Sequence, residues 1–177
     1  MVFDEGEESN LIDRAAAGEA EAFSALFHRY YSMIHSFAYR LCFDKDDAQD
    51  VAQETFVKMA RSLAGFRRQS SLKHWLYRIA LNASHDRNRA LSRRSHATDA
   101  YEESLNSPER PADHTVVHQA LHSLPEDLRQ AVTLVFFEGL NHAEAARIVG
   151  CAETTISWRL FMAKRRLKRQ LTSPDEN

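Results

Sequence analysis

Phe23, Leu26, Phe27, Tyr30, Ile34, Phe37, Ala38 and Leu41 fall along one broad stripe at three- and four-residue spacing. That is the period of an amphipathic helix. No Gly or Pro interrupts it, so the spacing predicts one long helix from Glu19 to Leu41, its aromatics in a core. The same test predicts a second helix beginning near Asp47, with Asp46 as N-cap and Val51, Phe56, Met59 and Leu63 on its apolar side. Gly65 breaks it. A third, from Leu72 to about Ala90, turns Leu72, Trp75, Leu76, Ile79 and Ala83 one way and His74, Arg78, Asn82, Arg87 and Arg89 the other. Leu11 to Ala17 predicts a short helix ended by Gly18, and residues 1–9 are expected to be disordered. Only five Gly and four Pro punctuate 177 residues. The fold class is therefore all-α, with enough chain for one medium domain or two small ones.

Beyond Leu91 the periodicity is lost. The stretch SRRSHATDAYEESLNSPERPADHT is polar, contains Pro108 and Pro111, and is too long for an ordinary loop. It divides the chain into a first helical domain (1–92), an acidic flexible linker (93–115) and a second helical domain (116–177). The second domain begins with Val117, Ala120, Leu121 and Leu124 on one helix face. Pro125, Glu126 and Asp127 open a helix expected to run to Phe137 and to stop at Gly139. Asn141 and Glu144 fit a capping box, with Ala145, Ile148 and Val149 facing inward. Gly150 supplies a tight turn before a helix from about Glu153 to Leu171, with Ile156, Leu160, Ala163 and Leu167 on one side. Two short helices around a glycine turn, the second one basic, match a helix-turn-helix.

The net charge of −2 argues against nucleic acid until its distribution is examined. Residues 1–60 carry 12 acidic and 5 basic side chains, and residues 61–98 carry 1 and 9. Residues 99–127 carry 7 acidic and 1 basic, and residues 128–177 carry 5 and 8. Phosphate binding requires local positive potential, not a positive total. The acidic helix around Asp50 suits a protein partner. The basic loop and helix after it suit nucleic acid.

Other classes are disfavoured. No apolar run approaches the ~20 residues that span a bilayer, and the acidic N-terminus lacks a signal-peptide pattern. Cys42 and Cys151 are far apart and form no paired motif, so a reduced, cytoplasmic protein is expected. His85-Asp86 is half of a metal phosphohydrolase signature without the companion ligands, so no enzyme, cofactor or metal is assigned. His114, His118 and His122 share a helix face and define one rival, a metal-responsive regulator.

The second helix of a helix-turn-helix enters the major groove with its N-terminal residues at base edges. Here these are Glu153, Thr154, Thr155, Ser157 and Trp158, with Arg159, Lys164 and Arg165 as candidates for phosphate contacts. Taken with DAQDVAQETFVK, FRRQSSLKHWLYRIALNASHDRNR and SLPEDLRQAVTLVFFEGLNHAEAARIVGCAETTISWRLFMAKRRLKR, in that order and spacing, the chain resembles the extracytoplasmic-function (ECF) sigma factors, small two-domain initiation factors of bacterial RNA polymerase.

The resemblance, over about residues 20–92 and 116–171, implies two promoter contacts. The first domain would dock on the clamp helices of the largest subunit of core RNA polymerase and melt the −10 element. The second would read the −35 element and touch the polymerase flap. Asp50, Gln53 and Glu54 match the polymerase-binding helix. The loop from Phe66 to Lys73, including Arg67, Arg68, Ser70 and Ser71, matches the loop that captures an unstacked base. Arg78, Asn82 and Arg87 match the helix meeting the −10 strand, and Thr155, Ser157 and Arg159 match the −35 helix. Physical chemistry is consistent with these roles. A single strand is held by positive charge and by pockets or stacking for bases, and Asn82 can both donate to and accept from a base edge. The chain departs from the family pattern at Ser157, Trp158 and Arg68-Gln69, so base preferences do not carry over. The family also implies an anti-sigma factor as partner. A free-standing helix-turn-helix repressor is the other rival, and it leaves the first domain without a role.

Overall fold

A computed structural model describes residues 5–97 and 116–172 of the chain. They contain helices and no strand. The chain divides into two units between Ser84 and His85.

In the first unit, α1 (Glu5–Ala16) and α2 (Ala20–Cys42) form an antiparallel pair around Gly18, whose φ is +94°. The expectation of disorder through residue 9 is corrected, because α1 begins at Glu5. Composition marked this segment as acidic but did not reveal its partners. Ile12 and Ala15 are buried, and Glu8 pairs with Arg29 of α2 at 3.3 Å. Burial, followed by the Glu8 hydrogen bond, pushes the Tyr30 phenol well above its ordinary pKa. At the turn, Arg14 Nε donates to Glu19 Oε2 at 2.8 Å. That bond holds the Glu19 carboxyl below its usual range and the Arg14 guanidinium above its own.

Helix α2 buries Leu26, Tyr30, Ile34, Phe37, Ala38 and Leu41, as its stripe predicts, while Phe23 and Phe27 are half-buried. Helix α3 (Lys45–Ser62) is capped by Asp44, not Asp46. Asp44 has extended backbone, so its Oδ1 reaches the Asp47 N–H at 2.8 Å, whereas Asp46 lies inside the first turn. Val51, Phe56, Met59 and Leu63 are buried as expected. After a 3₁₀ turn (Leu63–Gly65) and a short loop, α4 spans Leu72–Ala97. It continues beyond the expected end near Ala90, because the following residues include no Gly or Pro to stop it. Residues 98–115 of the expected linker lie outside the described residues.

The core-facing side of α4 is wider than its predicted stripe. Tyr77, Ala80 and Leu81 are buried alongside Leu72, Leu76 and Ala83, whereas Trp75 and Ile79 are only half-buried. The Tyr77 ring lies 4.8 Å from that of Phe37. Such burial contributes roughly 1.5–3 kcal/mol per large apolar side chain.

The second unit includes α5 (Val116–His122), α6 (Glu126–Val132), α7 (His142–Val149) and α8 (Glu153–Thr172). Val117, expected inside, is 55% exposed, while Leu121 and Leu124 carry the burial. The α-helical ladder of α6 stops at Val132 and widens to a π-helical turn over Thr133–Phe137. At this turn Phe136 stands in solvent, at 72% exposure, and Phe137 is 40% exposed. The capping box at Asn141 and Glu144 is complete. Gly150, with φ +79°, closes α7 by donating to Ala146 O at 2.8 Å. Ala145, Ile148, Ile156 and Ala163 pack the interior of the α7–α8 pair, while Val149, Leu160 and Leu167 are half-buried.

Candidate nucleic-acid interface

On α3, burial of Val51, Ala52, Thr55 and Phe56 leaves Asp50, Gln53 and Glu54 exposed on one polar face. Glu54 pairs with Lys58 at 2.7 Å. Val57 continues this face and is 48% exposed. The sequence reading missed it, although its position three residues after Glu54 was the available signal. Acidic side chains around an exposed valine form a surface suited to a protein partner rather than to phosphate.

The loop after the 3₁₀ turn is built around Phe66 and Arg68. Phe66 is half-buried, with its ring 4.9 Å from Trp75. Arg67, Gln69 and Ser71 are exposed and Ser70 is partly so. Arg68 adopts a left-handed conformation, with φ +54°. Its Nη1 donates to Ser9 Oγ at 2.5 Å and its Nη2 to Ser9 O at 3.2 Å. The same guanidinium forms an ion pair with Asp13. Arg68 is exposed like Arg67, at 41% for its side chain, but its guanidinium is engaged by α1. Ser71 opens α4, with its Oγ accepting the His74 N–H at 3.3 Å.

On α4, Lys73 Nζ lies 5.6 Å above the Tyr77 ring. Arg78 and Asn82 are one turn apart and both exposed. Arg87, half-buried, lies about 140° around the helix from Asn82 at 3.6 residues per turn, so these three residues do not share one face. The exposed Arg89 continues the Arg78–Asn82 line.

On α8, Thr154, Ser157, Trp158 and Arg165 are exposed in one row, and Lys164 is exposed beside it. Phe161 belongs to the same row at 58% exposure and was missed in the sequence. Arg165 lies over its ring at 5.7 Å. Ser157 Oγ donates to Glu153 O and lies 2.9 Å from His142 Nδ1, which ties the two helices of the motif together. Thr155 is half-buried. Arg159 departs from the row. Its side chain is 19% exposed, and its Nε faces Asp127 Oδ2 of α6 at 3.6 Å.

His118 is half-buried and His122 exposed, while His114 lies outside the described residues. Among the described residues, no three His, Cys, Asp or Glu side chains gather as metal ligands. No described helix is long and apolar enough to cross a membrane.

These features describe an all-helical protein with an acidic exposed face on α3, a basic loop and helix face, and a helix-turn-helix, the kinds of surface that suit nucleic acid and a protein partner. Comparison with known proteins narrows the class. Residues 26–94 match Sigma-70 region 2, and residues 114–167 match Sigma-70, region 4. The chain is 35% identical to the RNA polymerase sigma-H factor of Pseudomonas aeruginosa, over 93% of this chain and 94% of that one. It is 32% identical to the ECF RNA polymerase sigma-E factor of Haemophilus influenzae, over 91% and 93% of the two chains. A solved structure of the sigma factor RpoE with the anti-sigma factor NepR, from Bartonella quintana, superposes with a TM-score of 0.73 at 28% identity. That likeness covers 88% of this chain and 100% of the other. The chain belongs to the ECF sigma factors of RNA polymerase. It directs the polymerase to promoters and takes part in starting transcription.

Proposed function

We propose the following division of labour within this sigma factor. Asp50, Gln53 and Glu54, with Val57 among them, dock on the clamp helices of core polymerase. The loop from Phe66 to Lys73 and the face bearing Arg78 and Asn82 take the −10 strand. Arg87 contributes from the far side of the same helix. Thr154, Thr155, Ser157 and Trp158 read −35 base edges, and Lys164 and Arg165 hold phosphates. The functional parts are residues 1–92 and 116–177, joined by 93–115. The chain performs no chemistry of its own, needs no cofactor and works in the cytoplasm. An anti-sigma factor holds it inactive, a reading supported by the similar RpoE having been solved with NepR.

The observation that carries this reading is the segregation of exposed side chains. On the first unit the α3 face is acidic and carries an exposed valine, whereas the loop and α4 present Arg67, Arg78 and Asn82. Cations along a backbone attract a single strand. Extruding a base costs a few kcal/mol, which contacts at the loop must offset. Asn82 supplies the donor and acceptor for such a contact.

The test is run-off transcription with purified core polymerase on a random promoter library, followed by the same assay on a selected promoter. Wild-type chain is expected to select promoters with two conserved elements. Asn82→Ala is expected to reduce open complexes more than closed ones. Equal losses at both steps would remove the melting role from this face.

A further inference from the structure

We propose that α1 sets the shape of the base-capturing loop, with Ser9 and Asp13 as positioning residues that act through Arg68. The inference deepens the reading of that loop given above and rests on it.

Arg68 is an L-residue held at φ +54°, a conformation that disfavours any side chain with a Cβ. That cost, roughly 1–2 kcal/mol, is offset here by contacts from outside the loop. Ser9 supplies two acceptors, its hydroxyl and its carbonyl, and Asp13 supplies a carboxylate. Ser9 and Asp13 are four apart, so one face of α1 presents both to a single guanidinium. Charge-assisted bonds of this type combine strength with fixed direction.

The holder is itself anchored. Ile12 and Ala15 are buried, Glu8 pairs with Arg29, and Arg14 pairs with Glu19. Helix α1 also packs on the 3₁₀ turn from which the loop departs. With Phe66 against Trp75 before it and Ser71 at the head of α4 after it, the left-handed residue fixes the bend between them. Arg67 and Gln69, on either side of the bend, remain exposed. In this arrangement Arg68 is occupied by α1, and its contribution is to the loop's shape rather than to a phosphate.

The experiment uses the full-length chain with core polymerase on a promoter selected as above. Three quantities are measured: polymerase affinity, closed-complex formation and permanganate reactivity of −10 thymines. Asp13→Ala combined with Ser9→Ala is expected to lower opening about fivefold, a modest loss because the pair is partly exposed. Polymerase affinity and the melting temperature should be unchanged, and Asp13→Glu should restore most of the opening. Arg68→Gly, which adopts positive φ without restraint, should open better than Arg68→Ala and should be insensitive to the α1 changes.

Higher opening in the α1 variant would overturn the proposal, since Ser9 and Asp13 would then compete with DNA for Arg68. Equal losses in polymerase affinity and opening would also overturn it, because α1 would then be general scaffolding. If Asn82→Ala impairs opening and the α1 variant does not, the positioning role fails while the loop reading stands. If neither impairs opening, both fall.

Discussion

The Phe66 ring is tilted 33° against the Trp75 ring at a centroid distance of 4.9 Å, which couples the loop to the first turn of α4. The sequence places Trp75 in an apolar stripe, and the structure leaves it half-buried, with its ring against Phe66 of the loop. Trp75→Ala should cost about 2 kcal/mol, below the range for a fully buried Trp, and should reduce opening further than that loss explains. Trp75→Phe should retain the ring contact and most of the opening. Urea unfolding alongside permanganate footprinting checks both.

The acidic face of α3 should govern polymerase binding alone. Asp50→Arg with Glu54→Arg exchanges exposed charges, so the melting temperature should stay within about 2 °C, as for surface changes near 0.5 kcal/mol. Affinity for core polymerase should fall at least tenfold, as read by competition with labelled wild-type chain. Full run-off activity in the double variant would move the docking face elsewhere.

Arg165 and Arg159 should behave differently on DNA. Arg165→Ala should reduce the magnitude of the salt slope of −35 binding by about one, as expected for a lost phosphate contact. Arg159→Ala should leave that slope unchanged and cost roughly 1 kcal/mol of stability, because its guanidinium faces Asp127. Filter binding across a salt series distinguishes them.

Gly150→Ala tests the turn of the helix-turn-helix. Nothing lies within 4 Å of the Cβ that would be added, so the penalty is conformational rather than steric. A loss of about 1–2 kcal/mol is expected from the left-handed backbone, with weaker −35 binding and undisturbed polymerase affinity.

The turn between α1 and α2 should be acid-sensitive. Arg14 lowers the folded-state pKa of Glu19. The stabilisation is therefore present above the unfolded carboxylate pKa, near 4.3, and is lost as pH falls through the lower folded value. Glu19→Gln should flatten that part of the acid branch in a melting-temperature series. An unchanged profile would show that the pair contributes nothing in solution.

Much of the fold was legible because helical period survives in the sequence. The stripe from Leu26 to Leu41, the inward Val51, Phe56 and Met59, and the Asn141–Glu144 cap all follow from local spacing. The misses depended on distant partners. Helix α1 starts early because Arg29 and Tyr30 await Glu8 across a turn, and composition does not encode that meeting. Tyr77 is buried because Phe37 covers it. Among the site residues, Asp50, Asn82 and Thr154 were placed by their position on helix faces. The family resemblance puts Arg68 in the base-capturing loop and Arg159 on the −35 helix, yet geometry directs their guanidinium groups to Asp13 and Asp127.

The widened turn after α6 carries Phe136 facing water and Phe137 partly so. Hydrated benzyl groups give an unaccompanied chain a standing tendency towards self-association. Yield and solubility on expression should therefore rise with co-produced company, and storage without it should be limited by clumping before unfolding.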